Sequence, residues 1–221
     1  MSKIIPTKPL LVLLYGYPGS GKTFFARQLA DQLQAANIQS DRIRGELFNK
    51  PRYDKQENDI VTHLMDYMSE EFLDNGVSVI YDVNAFRANQ RRLLREMAKK
   101  RQAEPVLIWV QIDLESAFSR ISGRDRRKSD DKFAMPLDRT TFDNLLRHMQ
   151  NPSPEENFLV ISGKHTFRTQ QSMFLKRLRE MGLVRSDEMN DRVIKPGLIN
   201  LVPTPPIAGR VDLSRRNIVI R

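Results

Sequence analysis

Cysteine is absent from this chain, which excludes disulfides and thiolate metal sites. Histidine is scarce. His63, His148 and His165 are scattered, and none has the spacing of a metal ligand set. Long apolar runs are missing too: no stretch reaches the roughly 18 residues that argue for a membrane span, so none is expected. The opening Met1-Ser2-Lys3-Ile4-Ile5-Pro6 is too short and too polar for a signal peptide, and a cytoplasmic location is the expectation. Negative charge is in deficit. Lys and Arg number 36 against 27 Asp and Glu, a net charge of +9 and a pI near 9.9. Such a balance favours polyanionic partners such as single-stranded nucleic acid, although a surface kept basic for solubility gives the same total.

Glycine is sparse as well, yet three of the ten fall together in "LLVLLYGYPGSGKTFFARQLA", Leu10 to Ala30. Gly16-Tyr17-Pro18-Gly19-Ser20-Gly21-Lys22-Thr23 fits the phosphate-binding pattern G-x-x-x-x-G-K-[ST]. Gly16 and Gly21 permit backbone angles and a close approach that a Cβ would block. Successive N–H groups, including those around Pro18, Gly19 and Ser20, can then form a cradle for anionic oxygens. A helix starting near Lys22 adds its positive end. Lys22 has the reach for β- and γ-phosphates, and the Thr23 hydroxyl suits Mg²⁺. The context agrees: Leu10 to Tyr15 reads as a buried strand, and Phe24, Phe25, Leu29 and Leu33 recur at helical spacing. The expected donor is a nucleoside triphosphate, ATP with Mg²⁺. There is no N-K-x-D guanine signature, because Asn49-Lys50-Pro51 is followed by Arg52.

The rest of the chain alternates strands and helices, which predicts an α/β fold with a parallel sheet covered by helices on both faces. Expected strands are Ile38-Gln39, Val77 to Tyr81, Val106 to Ile112 and Phe158 to Ile161. Expected helices are Gln56 to Asn75, Asn89 to Arg101, Glu115 to Ile121, Thr141 to Met149 and Gln170 to Met181, with Asn75-Gly76 and Gly182 as stop signals. The expected organisation is a P-loop domain over residues 1–183, with a lid near 120–138, and a Pro-containing basic extension over 184–221. That tail carries seven basic residues against four acidic ones, an apolar cluster at Leu198 to Val202, and a strand-like end. It is expected to pack along the core with Arg215 and Arg216 near the acceptor; a disordered extension is the alternative.

Acceptor residues should lie at the carboxyl ends of strands, facing the P-loop. Three candidates follow. In Ser40-Asp41-Arg42-Ile43-Arg44, a carboxylate and a guanidinium three apart share a helix face and could take a proton and grip a phosphate. The competing reading makes Ser40 or Asp41 a helix cap. Asp82, ending "VSVIYD", could hold Mg²⁺ or orient the acceptor with Asn84; alternatively it starts a turn with Asn84. Arg120, Arg124, Arg126, Arg127 and Lys128 give five cations in nine positions around Gly123, suited to a lid over phosphates or to a solvated charge run.

Taken in order, "GYPGSGKT", "SDRIR", "VIYDVN", "RISGR" and "AMPLDRTTF" resemble the kinase domain of phage-type 5′-polynucleotide kinases, within the P-loop kinase group labelled AAA-type domain 33. The resemblance spans Leu10 to Met181. It implies an ATP-dependent phosphotransferase with Asp41 as general base toward a 5′-hydroxyl of RNA or DNA. It further implies Arg44 on the adjacent phosphate, Asp82 organising the site, and Arg124 and Arg120 on the donor phosphates. Two departures stand out. Ser40 occupies a place where the family often has a second aspartate, and the 221 residues carry a tail and no phosphatase or ligase domain. Members of the wider group act on small molecules (gluconate, antibiotics, nucleotide sugars), which keeps a small-molecule kinase as an alternative. An ATP-binding switch that transfers nothing is a second.

Overall fold

The computed structural model describes residues 3–83, 87–124, 132–134 and 137–184. Asn84, residues 125–131 and 135–136 of the lid stretch (with Arg126, Arg127 and Lys128) and the tail from 185 onward, including Arg215 and Arg216, lie outside the described residues.

The chain runs β1 (Leu10–Tyr15), α1 (Lys22–Leu33), β2 (Ala36–Gln39), α2 (Ser40–Leu47), α3 (Lys55–Asp74), β3 (Val79–Asp82), α4 (Ala88–Lys100), β4 (Glu104–Gln111), α5 (Leu114–Ser122), α6 (Arg139–His148), β5 (Leu159–Ser162) and α7 (Phe167–Glu180). All strand pairings are parallel, in the order β2-β3-β1-β4-β5. β1 is central and buried along its whole length, as a strand covered on both faces must be. Its side chains alternate between two cores. Leu10, Val12 and Leu14 pack with Phe25, Leu29, Phe174 and Leu178 of α1 and α7. Leu11, Leu13 and Tyr15 pack with Val61, Met65, Leu94 and Ala98 of α3 and α4. Thus the expected parallel sheet with helices on both faces is what the chain forms. Among the described residues, no helix is long and apolar enough to cross a membrane.

Most element ends lie within a few residues of their expected places, and the shifts have local causes. β4 starts two residues early because Pro105, which has no N–H to give a ladder, sits at the strand's opening where none is needed. β3 starts two residues late because the Val77 N–H closes α3 on the Phe72 carbonyl. α6 starts at Arg139 because Asp138 caps it, its carboxylate accepting from the Thr141 N–H. Gly76 and Gly182 take the positive φ expected of helix stops.

One polar contact ties the sheet to its cover. Arg91 of α4 is wholly buried. It donates from Nε and Nη2 to Glu156 at 2.8 and 2.7 Å, and from Nη1 to the Gln150 carbonyl at 2.8 Å. Its guanidinium stacks 5.1 Å from the ring centre of Tyr15, the last residue before the glycine-rich loop. The Tyr15 hydroxyl donates to Asn151 Oδ1 at 2.9 Å.

Candidate active site

Register places the strand ends together. Asp82 pairs with Leu14 on one side and Gln39 on the other, so the loop after β1, the end of β3 and the start of α2 share one edge. That edge is the switch point where the connections leaving the neighbours β1 and β3 run in opposite directions, the usual crevice of open α/β sheets.

The glycine-rich loop is built by close approach. A Cβ on Gly16 (φ 148°) would lie 2.3 Å from the Val110 carbonyl oxygen, and one on Gly19 (φ 82°) would lie 2.3 Å from that of Ala117. Only glycine satisfies both demands. Pro18 and Ser20 are buried within the loop, and the Ser20 N–H donates to the Tyr17 carbonyl. Gly21 caps α1 in the left-handed region with no side-chain cap, and the first turn of α1 carries no acid. Its outward N–H groups are therefore left for an anion.

Two side chains follow the loop into the cleft. Lys22 is almost fully buried, and its Nζ donates to the carbonyls of Gly16 at 2.8 Å and Tyr17 at 3.0 Å. Burial pushes its pKa down to about 8, against the pull of Asp82 and Asp41. Thr23 Oγ1 donates to Asp82 Oδ2 at 2.6 Å. Asp82 is itself buried, which raises its pKa, while Lys22, Thr23, Arg27 and Arg124 act to lower it. A hydroxyl beside a carboxylate offers the hard oxygens Mg²⁺ prefers, and this ion takes few protein ligands when phosphates supply the rest.

The cleft over these groups measures about 240 Å³, and Lys22, Thr23, Arg27, Asp41, Arg120 and Arg124 are among its walls. Among the described lining residues four cations stand with one carboxylate, an arrangement that takes an anion. Arg120 also donates to the Gly163 carbonyl at 3.0 Å, linking α5 to the loop after β5. Arg27 was not foreseen. Its signal was spacing, since it stands four residues after Thr23 on the same face of α1.

Asp41 lines the cleft, and the N-cap position of α2 belongs to Gln39, whose side chain makes no cap hydrogen bond. Arg44 is a different matter. The expectation placed it with Asp41, but its side chain turns inward and does not line the cleft. Nη1 donates to Glu57 Oε2 at 3.1 Å and Nη2 to Asn58 Oδ1 at 2.6 Å, with the Tyr53 ring 4.8 Å away. Glu57 also accepts from the N–H groups of Arg52 and Tyr53, so one carboxylate ties α2, α3 and their connection together. Spacing could not reveal this, because a shared helix face does not say which partner a long side chain reaches.

Comparison with known proteins speaks to the fold and the family. An L-seryl-tRNA(Sec) kinase of Methanococcus maripaludis is 25% identical over 113 residues, covering 50% of this chain and 44% of that protein. The matched part thus spans under half of that relative. Among solved structures, Chaetomium thermophilum Kti12 in complex with ADP-AlF3 superposes with a TM-score of 0.60 at 20% identity, over 76% of this chain and 97% of that one. The Mycobacterium tuberculosis APS kinase in complex with AMPPNP and APS gives 0.59 at 16% identity, over 79% and 99%. At these identities the two structures speak for a shared P-loop fold. The family model described as AAA domain (AAA_33) matches residues 11–152, well over half of the chain, and the protein belongs to that family.

Proposed function

We propose that this protein is an ATP- and Mg²⁺-dependent kinase that moves the γ-phosphoryl group to a hydroxyl, most favourably the 5′-hydroxyl of RNA or DNA. The observation that carries the reading is the Thr23–Asp82 hydrogen bond of 2.6 Å beside buried Lys22, with Asp41 in the same cleft. The loop N–H groups hold the donor phosphates, and Lys22, Arg120 and Arg124 neutralise their charge. Thr23 and Asp82 would hold Mg²⁺, which would supply neutralisation of the phosphate charge. Asp41 accepts the proton of the acceptor hydroxyl. Phosphoryl transfer of this kind depends mainly on positioning and electrostatics, and this cleft offers both.

Support for a nucleic-acid acceptor comes from the net charge of +9 and from the name of the tRNA-directed relative. A small-metabolite acceptor is the second reading, favoured by the engagement of Arg44 with Glu57, which takes away the expected phosphate grip. We assign the kinase domain to residues 1–183, with 184–221 as an extension, and place the protein in the cytoplasm, where ATP is abundant. The test is transfer from γ-labelled ATP to a 5′-hydroxyl oligonucleotide and to a panel of small alcohols. Asp41→Asn is expected to slow transfer by about two to four orders of magnitude, the usual worth of a positioned base, with ATP affinity retained. Native transfer rates in that variant would remove Asp41 from the mechanism.

A further inference from the structure

Three large apolar side chains left in solvent lie on the two helices that pack on β2. Leu47, ending α2, is 49% exposed, and Ile60 and Tyr67 of α3 are 45% and 56% exposed. The core face of α3 is already supplied by Val61, Met65 and Leu73. Ile60, Leu64 and Tyr67 follow one another at four and three residues, so they form a second apolar stripe that the fold itself does not need. Beside the stripe runs a groove of about 330 Å³, walled by Ile43 and Leu47 of α2, by Leu64 and Met68 of α3, and by β2. β2 is the outermost strand on this side, and among the described residues no strand pairs its outer edge. An open edge beside apolar side chains is a template for a further chain.

Charges on the rim of the groove identify that chain. Arg42 and Glu46 stand four apart on α2, both exposed and both lining the groove. Neither side chain has a hydrogen-bond or ion-pair partner among the described residues. An arginine four residues before a glutamate is the weaker orientation for a pair within one helix. A two-fold axis across the groove sets a second α2 antiparallel to the first, with Arg42 of each copy opposite Glu46 of the other. One surface then supplies both halves of two ion pairs, the self-complementarity that an isologous contact requires. We propose that this face joins two copies of the chain, α2 against α2 beside the open edge of β2. The groove supplies apolar area removed from water, and the crossed Arg42–Glu46 pairs fix the orientation. Association here needs no catalysis, so it stands or falls apart from the kinase reading.

Sedimentation velocity of the full chain over a range of protein concentrations is the test. The native chain is expected to pass from monomer to dimer below about 100 μM. Arg42→Glu and Glu46→Arg each turn two attractions into two repulsions, and each is expected to weaken the dimer by at least about tenfold. Both side chains are exposed, so neither reversal should move the Tm. Mixed in equal amounts, the two variants are expected to recover a dimer of native affinity, because each chain then meets opposite charges on the other. A chain carrying both reversals should dimerise like the native one. Recovery on mixing cannot come from a folding defect, since a misfolded chain gains nothing from a second one. A native chain that stays monomeric throughout, single variants that dimerise as the native does, or a mixture that stays monomeric would each overturn the proposal and leave the face to a different polypeptide.

Discussion

Lys22 concentrates the conflict on which the site depends. Its ammonium must be in place for phosphate, yet burial works against that charge and pulls its pKa from 10.5 to about 8. Two consequences run in opposite directions with pH. Between pH 8 and 10.5 the unfolded chain holds a proton at Lys22 that the folded chain has lost. Unfolding then takes up protons, and the Lys22 contribution to stability rises with pH across that window. Activity moves the other way: kcat/KM for ATP, which reports the free enzyme, is expected to fall above about pH 8 as the ammonium loses its charge. Lys22→Arg should flatten that limb, because guanidinium stays protonated there. A profile that is identical for the two proteins above pH 8 would assign the limb to another group.

At the scale of elements, the clasp between α4 and the stretch after α6 is the contact with most at stake. Arg91 is fully buried, Glu156 nearly so, and the pair meets at 2.7 and 2.8 Å under Tyr15. Truncating one partner leaves the other charge buried without compensation, which costs about 3–5 kcal/mol. Arg91→Ala is therefore expected to lower the urea midpoint by that equivalent, and because Tyr15 leads into the glycine-rich loop, to weaken ATP binding as well. Replacing both partners together, Arg91→Met with Glu156→Leu, should recover much of the stability, since an apolar pair of similar volume avoids the desolvation cost. A midpoint for Arg91→Ala within error of the native value would reduce the clasp to a surface contact. Apolar spacing made the helices legible, and the caps account for starts that the spacing placed one or two residues late. Asp54, Asp113 and Asp138 each accept an N–H of the helix they begin, and such residues announce helix starts in sequence.

For the molecule as a whole, charge is the property that separates the two acceptor classes. With a net charge of +9, binding of a single strand should weaken with salt by roughly 0.7 log units per log of salt for each phosphate neutralised. A small uncharged alcohol makes no such contacts, and its KM should barely respond. Measuring the acceptor KM between low and moderate salt, with ATP saturating, distinguishes them. A flat response with an oligonucleotide would move the assignment to the small-molecule reading.

The sequence by itself determined what depends on neighbours along the chain. "GYPGSGKT" states a phosphate loop because its glycines, lysine and threonine act within one turn of backbone. β1 reads as a buried strand because six consecutive apolar residues need cover on both faces. Asp82 was legible because a strand's end beside a P-loop has one functional edge. Only the tertiary structure decided what long side chains and distant elements do. Arg44 shares a helix with Asp41, yet its guanidinium went to Glu57, because a flexible side chain follows the nearest buried carboxylate rather than its own helix face. Arg91 and Glu156 lie 65 positions apart, so no periodicity connects them. A close approach between segments leaves its mark on the sequence as a single glycine, and the meaning of Gly16 appears only when the Val110 carbonyl that fills its space has been placed by the fold.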